Sequence, residues 1–337
     1  MDNKITYHEQ NDIDNTLKLR EVLKTLPPFC RDYFRAIDAT TTTKTRISYA
    51  YDIRIFFQFL LDQNPMFKDK TMKDFTVDVL DQIKAVDLEE YEEYLKVYKS
   101  ADSSKTETNG ERGVKRKISA LRSFYAYYYK REMIHTNPTV LIDVPKIHDK
   151  SIIRLDTDEV ALLLDYIEHC GDSLTGQKRV YYEKTKERDL AIVTLLLGTG
   201  IRVSECVGLD IEDVDFKNNG IKVTRKGGNE MVVYFGEEVE KALKRYLEVR
   251  AGITPLAGHE HALFYSAQRK RIGVQAVENM VKKYSRQITS TKKITPHKLR
   301  STYGTALYQE TGDIYLVADV LGHKDVNTTK KHYAALD

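Results

Sequence analysis

Residues 296–333 decide how this chain folds. They run Pro296-His297-Lys298-Leu299-Arg300, then Leu321-Gly322-His323, then Thr328-Thr329-Lys330-Lys331-His332-Tyr333. Pro296 suits the first turn of a helix, and His297 and Arg300, three apart, project from one face of it. Leu321-Gly322 is a helix-ending signal. His323 beyond it is either a capping histidine favoured by the helix dipole or a donor to a bound anion. Upstream lies Gly198-Thr199-Gly200-Ile201-Arg202-Val203-Ser204-Glu205. Its glycines permit a tight turn out of a buried helix, and Glu205, three residues after Arg202, can orient that guanidinium. Lys226 sits between these segments in Arg225-Lys226-Gly227-Gly228.

Two arginines, two histidines, a lysine and a tyrosine in this order form a set suited to a phosphodiester. The pentacoordinate transition state gathers negative charge on the non-bridging oxygens. Guanidinium groups, planar and always protonated, stabilise it, so Arg202 and Arg300 are the candidates. His297 beside Arg300 can accept a proton near neutral pH. Lys226 is the candidate to protonate a leaving oxygen, since a lysine near several cations can have a lowered pKa, although a lysine on a turn is ordinarily only solvated. An ordinary tyrosine has a pKa of about 10, so Tyr333 must lose its proton as it attacks. Among 22 tyrosines it stands out by its place ten residues after His323 and outside any apolar face.

Composition sets the frame. The 337 residues leave room for two domains. A hydrophobic content of 41% with 31% charged residues fits a globular protein. The net charge of +3 is too small to point to nucleic acid unaided. Acidic residues cluster at Glu89, Glu90, Glu92 and Glu93, a run expected to face water or a partner subunit. Cys30, Cys170 and Cys206 have no metal-ligand spacing, and an odd count argues against a disulfide framework, so a reducing cytoplasm is expected. The N-terminus has no signal-peptide pattern. The longest apolar run, near Leu190–Leu197, is too short to span a bilayer.

Along the chain, residues 1–27 read as a polar arm, mobile or held by a partner, ending at Pro27-Pro28. Residues 28–143 read as a helical domain, with helices over Thr42–Leu61, Leu88–Tyr98 and Glu111–Arg131 and a mobile polar loop over Ala101–Gly110. Residues 144–151, with Pro145, form the expected linker. Residues 152–337 form the second domain. It opens on an Asp156-Thr157-Asp158-Glu159 helix cap and continues through a polar surface stretch, Gly171–Lys186, to a buried helix over Asp189–Leu197. Gly220–Thr224 and Met231–Phe235 read as a hairpin, and the remainder as helices over Glu237–Val249, Gln275–Gln287, His297–Glu310 and Ile314–Leu321. The fold class is mainly α with a small β-sheet.

The segments Gly198–Glu205 and His297–Tyr333 resemble the two signature boxes of the tyrosine recombinases, the phage integrase family, and the spacing is Xer-like. The resemblance covers residues 150–333 directly and, by architecture, the helical domain from residue 28. It implies an N-terminal core-binding (SAM-like) domain followed by a catalytic domain. It assigns catalysis to Arg202, Lys226, His297, Arg300, His323 and Tyr333, with Glu205 supporting Arg202. It implies a 3′-phosphotyrosine intermediate, a free 5′-hydroxyl, strand exchange through a Holliday junction, and no metal or nucleotide cofactor. The partner it implies is double-stranded DNA carrying paired recombination sites, bound by a homotetramer that is a monomer or weak dimer when free. Accessory DNA-bending proteins and a nucleoid-associated place in the cytoplasm belong to the same expectation.

DNA contacts are then expected from Arg112, Lys115, Arg116 and Lys117 at the head of one helix, and from Lys44 and Arg46 at the head of another. The aromatics between Phe124 and Tyr129 read as core. Family members often carry a stretch after the tyrosine that docks on a neighbouring subunit. Here Ala334–Asp337 follow it, and the N-terminal arm is the alternative element for that exchange. The extra N-terminal residues and Gly171–Lys186 point to integration or excision of a mobile element. Xer-type resolution of chromosome dimers, a type IB topoisomerase-like activity and a catalytically silent DNA-binding protein are the competing readings.

Overall fold

The computed structural model describes residues 5–100, 105–148, 152–225, 228–323 and 326–333. The chain divides into two compact units, residues 1–149 and 150–337.

The first unit contains α1 (Tyr7–Leu23), α2 (Cys30–Ala36), α3 (Thr43–Gln63), α4 (Val79–Gln82), α5 (Ala85–Lys96), a two-stranded ribbon of β1 (Val97–Lys99) and β2 (Thr106–Thr108), and α6 (Glu111–Lys130). Its core is aromatic. Phe124 meets Tyr33 and Tyr128 with ring centroids 5.1 and 5.0 Å apart, both edge to face, an arrangement that the ring quadrupoles favour. Phe124, Tyr125 and Tyr128 are buried and Tyr129 is half exposed.

The expected N-terminal arm is corrected here. Residues 7–23 form a helix that packs on α3 and buries Leu19 and Val22. A reciprocal cap starts it: the Thr6 N–H donates to Glu9 Oε2 (2.7 Å), and the Glu9 N–H to Thr6 Oγ1 (3.3 Å), satisfying two N-terminal donors at once. The loop expected over Ala101–Gly110 is also partly structured. Thr106–Thr108 pairs antiparallel with Val97–Lys99, Tyr98 lying opposite Glu107, while Ala101–Ser104 lie outside the described residues. The helix expected to reach Tyr98 therefore stops at Lys96, where the ribbon begins.

The second unit contains α7 (Thr157–His169), α8 (Gly176–Thr199), α9 (Val203–Gly208), an antiparallel sheet of β3 (Val214–Asp215), β4 (Gly220–Thr224) and β5 (Glu230–Tyr234), then α10 (Glu237–Ala251), α11 (Val274–Ile288), α12 (Pro296–Thr311), α13 (Ile314–Leu321) and α14 (Val326–Tyr333). The central helix, α8, packs against α7, α10 and α12. Its second half, Leu190–Leu196, is buried throughout, as a helix surrounded by others must be. The polar stretch expected at the surface over Gly171–Lys186 is largely the first half of that helix. Tyr182 anchors it: the buried hydroxyl donates to the carbonyls of Ile167 (2.9 Å) and Glu168 (2.6 Å) at the end of α7.

The α7 cap forms at Asp156, whose N–H donates to Glu159 Oε2 (2.8 Å). Close by, the Leu155 N–H donates to Thr302 Oγ1 (3.0 Å), tying the start of this unit to α12. Cys30, Cys170 and Cys206 are unpaired and buried. No helix among the described residues is long and apolar enough to cross a membrane.

Candidate active site

Three chain segments converge at the C-terminal ends of α8 and α13. Helix α8 ends at Gly200 in the left-handed region (φ 63°), and a side chain there would collide with the Tyr303 ring, 2.3 Å away. The turn carries the chain directly to Arg202, the N-cap of α9. Glu205, 5% exposed, uses both carboxylate oxygens on this residue. Oε2 accepts from the Arg202 N–H and Oε1 from Arg202 Nη1, each at 2.8 Å. One buried carboxylate thus caps the helix and aims the guanidinium, a charge-assisted pairing. Arg202 Nη2 donates to Gly322 O (3.4 Å), and its side chain remains 38% exposed, open to a ligand.

Arg300 reaches the same place from α12. It is buried, and its Nη1 and Nη2 donate to Gly200 O and Leu321 O. Both acceptors are terminal helix carbonyls, which lack intrahelical partners and carry the negative end of the helix dipole. Gly322 turns the chain out of α13 at φ 62°, again in the left-handed region. His323 follows, and its Nδ1 lies 2.7 Å from Oγ1 of the buried Thr329 on α14. That bond orients the imidazole and ties α14 to the end of α13.

Of the expected catalytic residues, Arg202, Arg300 and His323 are brought together around Leu321-Gly322, with Glu205 behind Arg202. His297 is exposed in the first turn of α12, one turn before Arg300. Lys226 lies outside the described residues. Tyr333 ends α14, and the position of its side chain lies outside what the structure describes.

Sequence reasoning missed two residues here. Thr329 carries no signal beyond its place in a polar run. Arg225 was overshadowed by Lys226 beside it. Its Nη2 donates to Val320 O (2.6 Å) and its Nη1 to Asp319 O (3.4 Å). Burial, with Arg202 nearby, holds this guanidinium below the usual arginine range, and Glu205 opposes the shift.

The expected DNA contacts separate into two groups. Lys117 is buried, its Nζ 3.4 Å from Asp52 Oδ1. Arg116 clasps the same carboxylate, with Nη2 2.8 Å from Oδ1 and Nη1 on Oδ2. Both cations, expected to face DNA, pair with this buried aspartate; Lys117 is enclosed with it, while Arg116 keeps 47% of its side chain exposed. Burial pushes the Asp52 carboxyl up against their pull, and the cost of an unpaired charge there explains why both are recruited. Arg46 pairs with Asp38 and donates to Thr43 Oγ1 (3.2 Å). Lys44 and Arg112 are exposed and Lys115 is half-buried.

Residues 154–337 match the phage integrase family model. The chain belongs to the phage integrase family. This tyrosine recombinase is 33% identical to tyrosine recombinase XerC of Caldanaerobacter subterraneus subsp. tengcongensis, over 93% of this chain and 84% of that protein. It is 30% identical to tyrosine recombinase XerS of Streptococcus uberis, over 93% of each. The fold is shared with XerH recombinase bound to a palindromic difH substrate (TM-score 0.66, 19% identity, 98% of this chain and 87% of that one). It is shared also with the Tn1549 transposon integrase in complex with circular intermediate DNA (TM-score 0.63, 21% identity, 90% of this chain and 94% of that one).

Proposed function

We propose that this tyrosine recombinase cleaves and rejoins DNA at paired sites through Tyr333. The Tyr333 hydroxyl attacks the scissile phosphorus while His297 takes its proton, and a 3′-phosphotyrosine bond forms as the P–O5′ bond breaks. Lys226 donates the proton that the departing 5′-oxygen needs. Arg202, Arg300 and His323 bind the non-bridging oxygens, where charge develops. A 5′-hydroxyl from the partner duplex then attacks the phosphotyrosine and releases the enzyme. Each phosphodiester is exchanged for an ester of similar energy, so the cycle needs no nucleotide. Two such rounds pass through a Holliday junction.

The observation that carries this reading is the convergence of Arg202 and Arg300 on the adjacent carbonyls Gly322 O and Leu321 O. It gathers two fixed cations and His323 just before the helix that ends in Tyr333. The first unit, with α1 packed into it, serves as the DNA core-binding domain and the second as the catalytic domain. Lys44, Arg112, Lys115 and the half-exposed Arg116 are the phosphate contacts of this reading in the first domain, and Lys117 is enclosed against Asp52. A homotetramer assembles on synapsed DNA, and the protein works at the nucleoid. Named relatives that match nearly the full length, XerC and XerS, favour a Xer-type resolvase beside the mobile-element reading.

Covalent trapping tests the chemistry. Wild type and Tyr333→Phe are mixed with nicked duplexes from the DNA flanking the gene and run on a denaturing gel. A shifted band with wild type alone is expected. Binding by both proteins without such a band on any duplex would move the chain to the silent DNA-binding reading. Relaxation of a plasmid that lacks the site would favour the topoisomerase-like one. Sequencing DNA covalently held by the protein in cells then separates the biological roles. Ends of an element that carries the gene mean integration and excision, and a single unlinked chromosomal locus means dimer resolution.

A further inference from the structure

The end of α13 is gripped by arginines from three separate segments. Arg225, just past β4, takes Asp319 O and Val320 O. Arg300, from α12, takes Leu321 O. Arg202, at the head of α9, takes Gly322 O. Four consecutive carbonyls are thus engaged in order by three guanidinium groups. Terminal helix carbonyls need external donors and attract cations. A single lysine or a water would ordinarily suffice, so three converging arginines indicate that the position of this helix end matters.

Arg202 and Arg300 belong to the proposed site already, but Arg225 has no part in it so far. Gly322 makes room for it, since a Cβ on this residue would sit 1.4 Å from Arg225 Nη1. The left-handed turn and the close approach of the guanidinium therefore both require glycine here. The contact also has a cost, because Arg225 Nε is buried without a hydrogen-bond partner. Both Nη atoms donate to backbone carbonyls. His323 leaves the helix directly beyond this clamp, and its bond to Thr329 passes any displacement on to α14.

We propose that Arg225 is a positioning residue for strand cleavage: by clamping the last turn of α13 it sets where His323 and the helix ending in Tyr333 stand. The inference rests on Tyr333 as the nucleophile. In-line attack tolerates little error, and a misplacement of about 1 Å costs on the order of 100-fold in rate.

The test uses the full chain and a nicked duplex on which wild type forms a covalent complex. Arg225→Met keeps the side chain's length and removes its donors, and Arg225→Lys keeps one cationic donor. Single-turnover covalent complex formation and the salt dependence of duplex binding are measured for each. The expected result is a rate lowered about 10- to 100-fold in Arg225→Met, partly recovered in Arg225→Lys, with affinity and salt slope unchanged. Wild-type cleavage by Arg225→Met would overturn the proposal. So would weaker binding with a salt slope reduced by about one, the mark of a direct phosphate contact. If Arg225→Met does not fold, a wild-type rate in Arg225→Lys counts against the clamp and a lowered rate with unchanged binding supports it. Tyr333→Phe runs alongside. A covalent band with that variant would remove the nucleophile assignment itself, whatever Arg225 does.

Discussion

Gly200 is one residue on which the approach of two helices turns. It ends α8 with φ 63°, and its carbonyl accepts from Arg300 while the Tyr303 ring and Leu321 press against the place a Cβ would occupy. A Gly200→Ala variant should lose about 1–2 kcal/mol to the left-handed backbone and about 1–3 more to overpacking. Urea titration of the second unit's transition reads the sum, and an unchanged midpoint would mean that Tyr303 yields freely. This position was legible in the sequence, because glycines after an apolar run announce a turn. Arg202 and Glu205 were legible through their spacing. Arg225 was not, because nothing in a lone arginine discloses that its partners are carbonyls 94 and 95 residues further on. Lys117 was misplaced for the opposite reason. A basic run looks like a DNA-facing surface until Asp52 is found buried beneath it.

At the scale of elements, α8 shows where pattern reading stops. Its buried half is apolar but for Thr194 and was seen. Its first half is polar and charged, which reads as a loop, yet Tyr182 fixes it by reaching back to the last carbonyls of α7. Tyr182→Phe should therefore destabilise the second unit by about 1 kcal/mol, the usual net worth of such a bond, because the carbonyls lose their donor. A denaturation midpoint equal to wild type would show that water replaces the hydroxyl without cost. Helix α1 escaped for a related reason. Its buried residues are few, and its start depends on the Thr6–Glu9 cap, a signal of two residues in a polar background. The hairpin of β4 and β5 was legible because a glycine pair separates two β-branched runs. The short β3 beside it, two residues long, has too little pattern to detect.

For the molecule as a whole, the core of residues 1–149 closes on itself. Phe29, Tyr33, Phe57, Phe124 and Tyr128 form one contiguous aromatic cluster. A fragment spanning those residues should fold alone, with helical circular dichroism and one cooperative thermal transition. A broad, non-cooperative melt would mean that its stability is borrowed from the rest of the chain. The cysteines supply a way to watch this in the intact protein. Cys30 belongs to the first unit and Cys170 and Cys206 to the second, and all three are shielded, with burial pushing the Cys206 thiol up to about 12. A pulse of alkylating reagent can mark each thiol only when its own unit opens. Mass spectrometry of the labelled peptides then times the breathing of the two halves independently, and an added surface cysteine would accept a dye without any native one being removed.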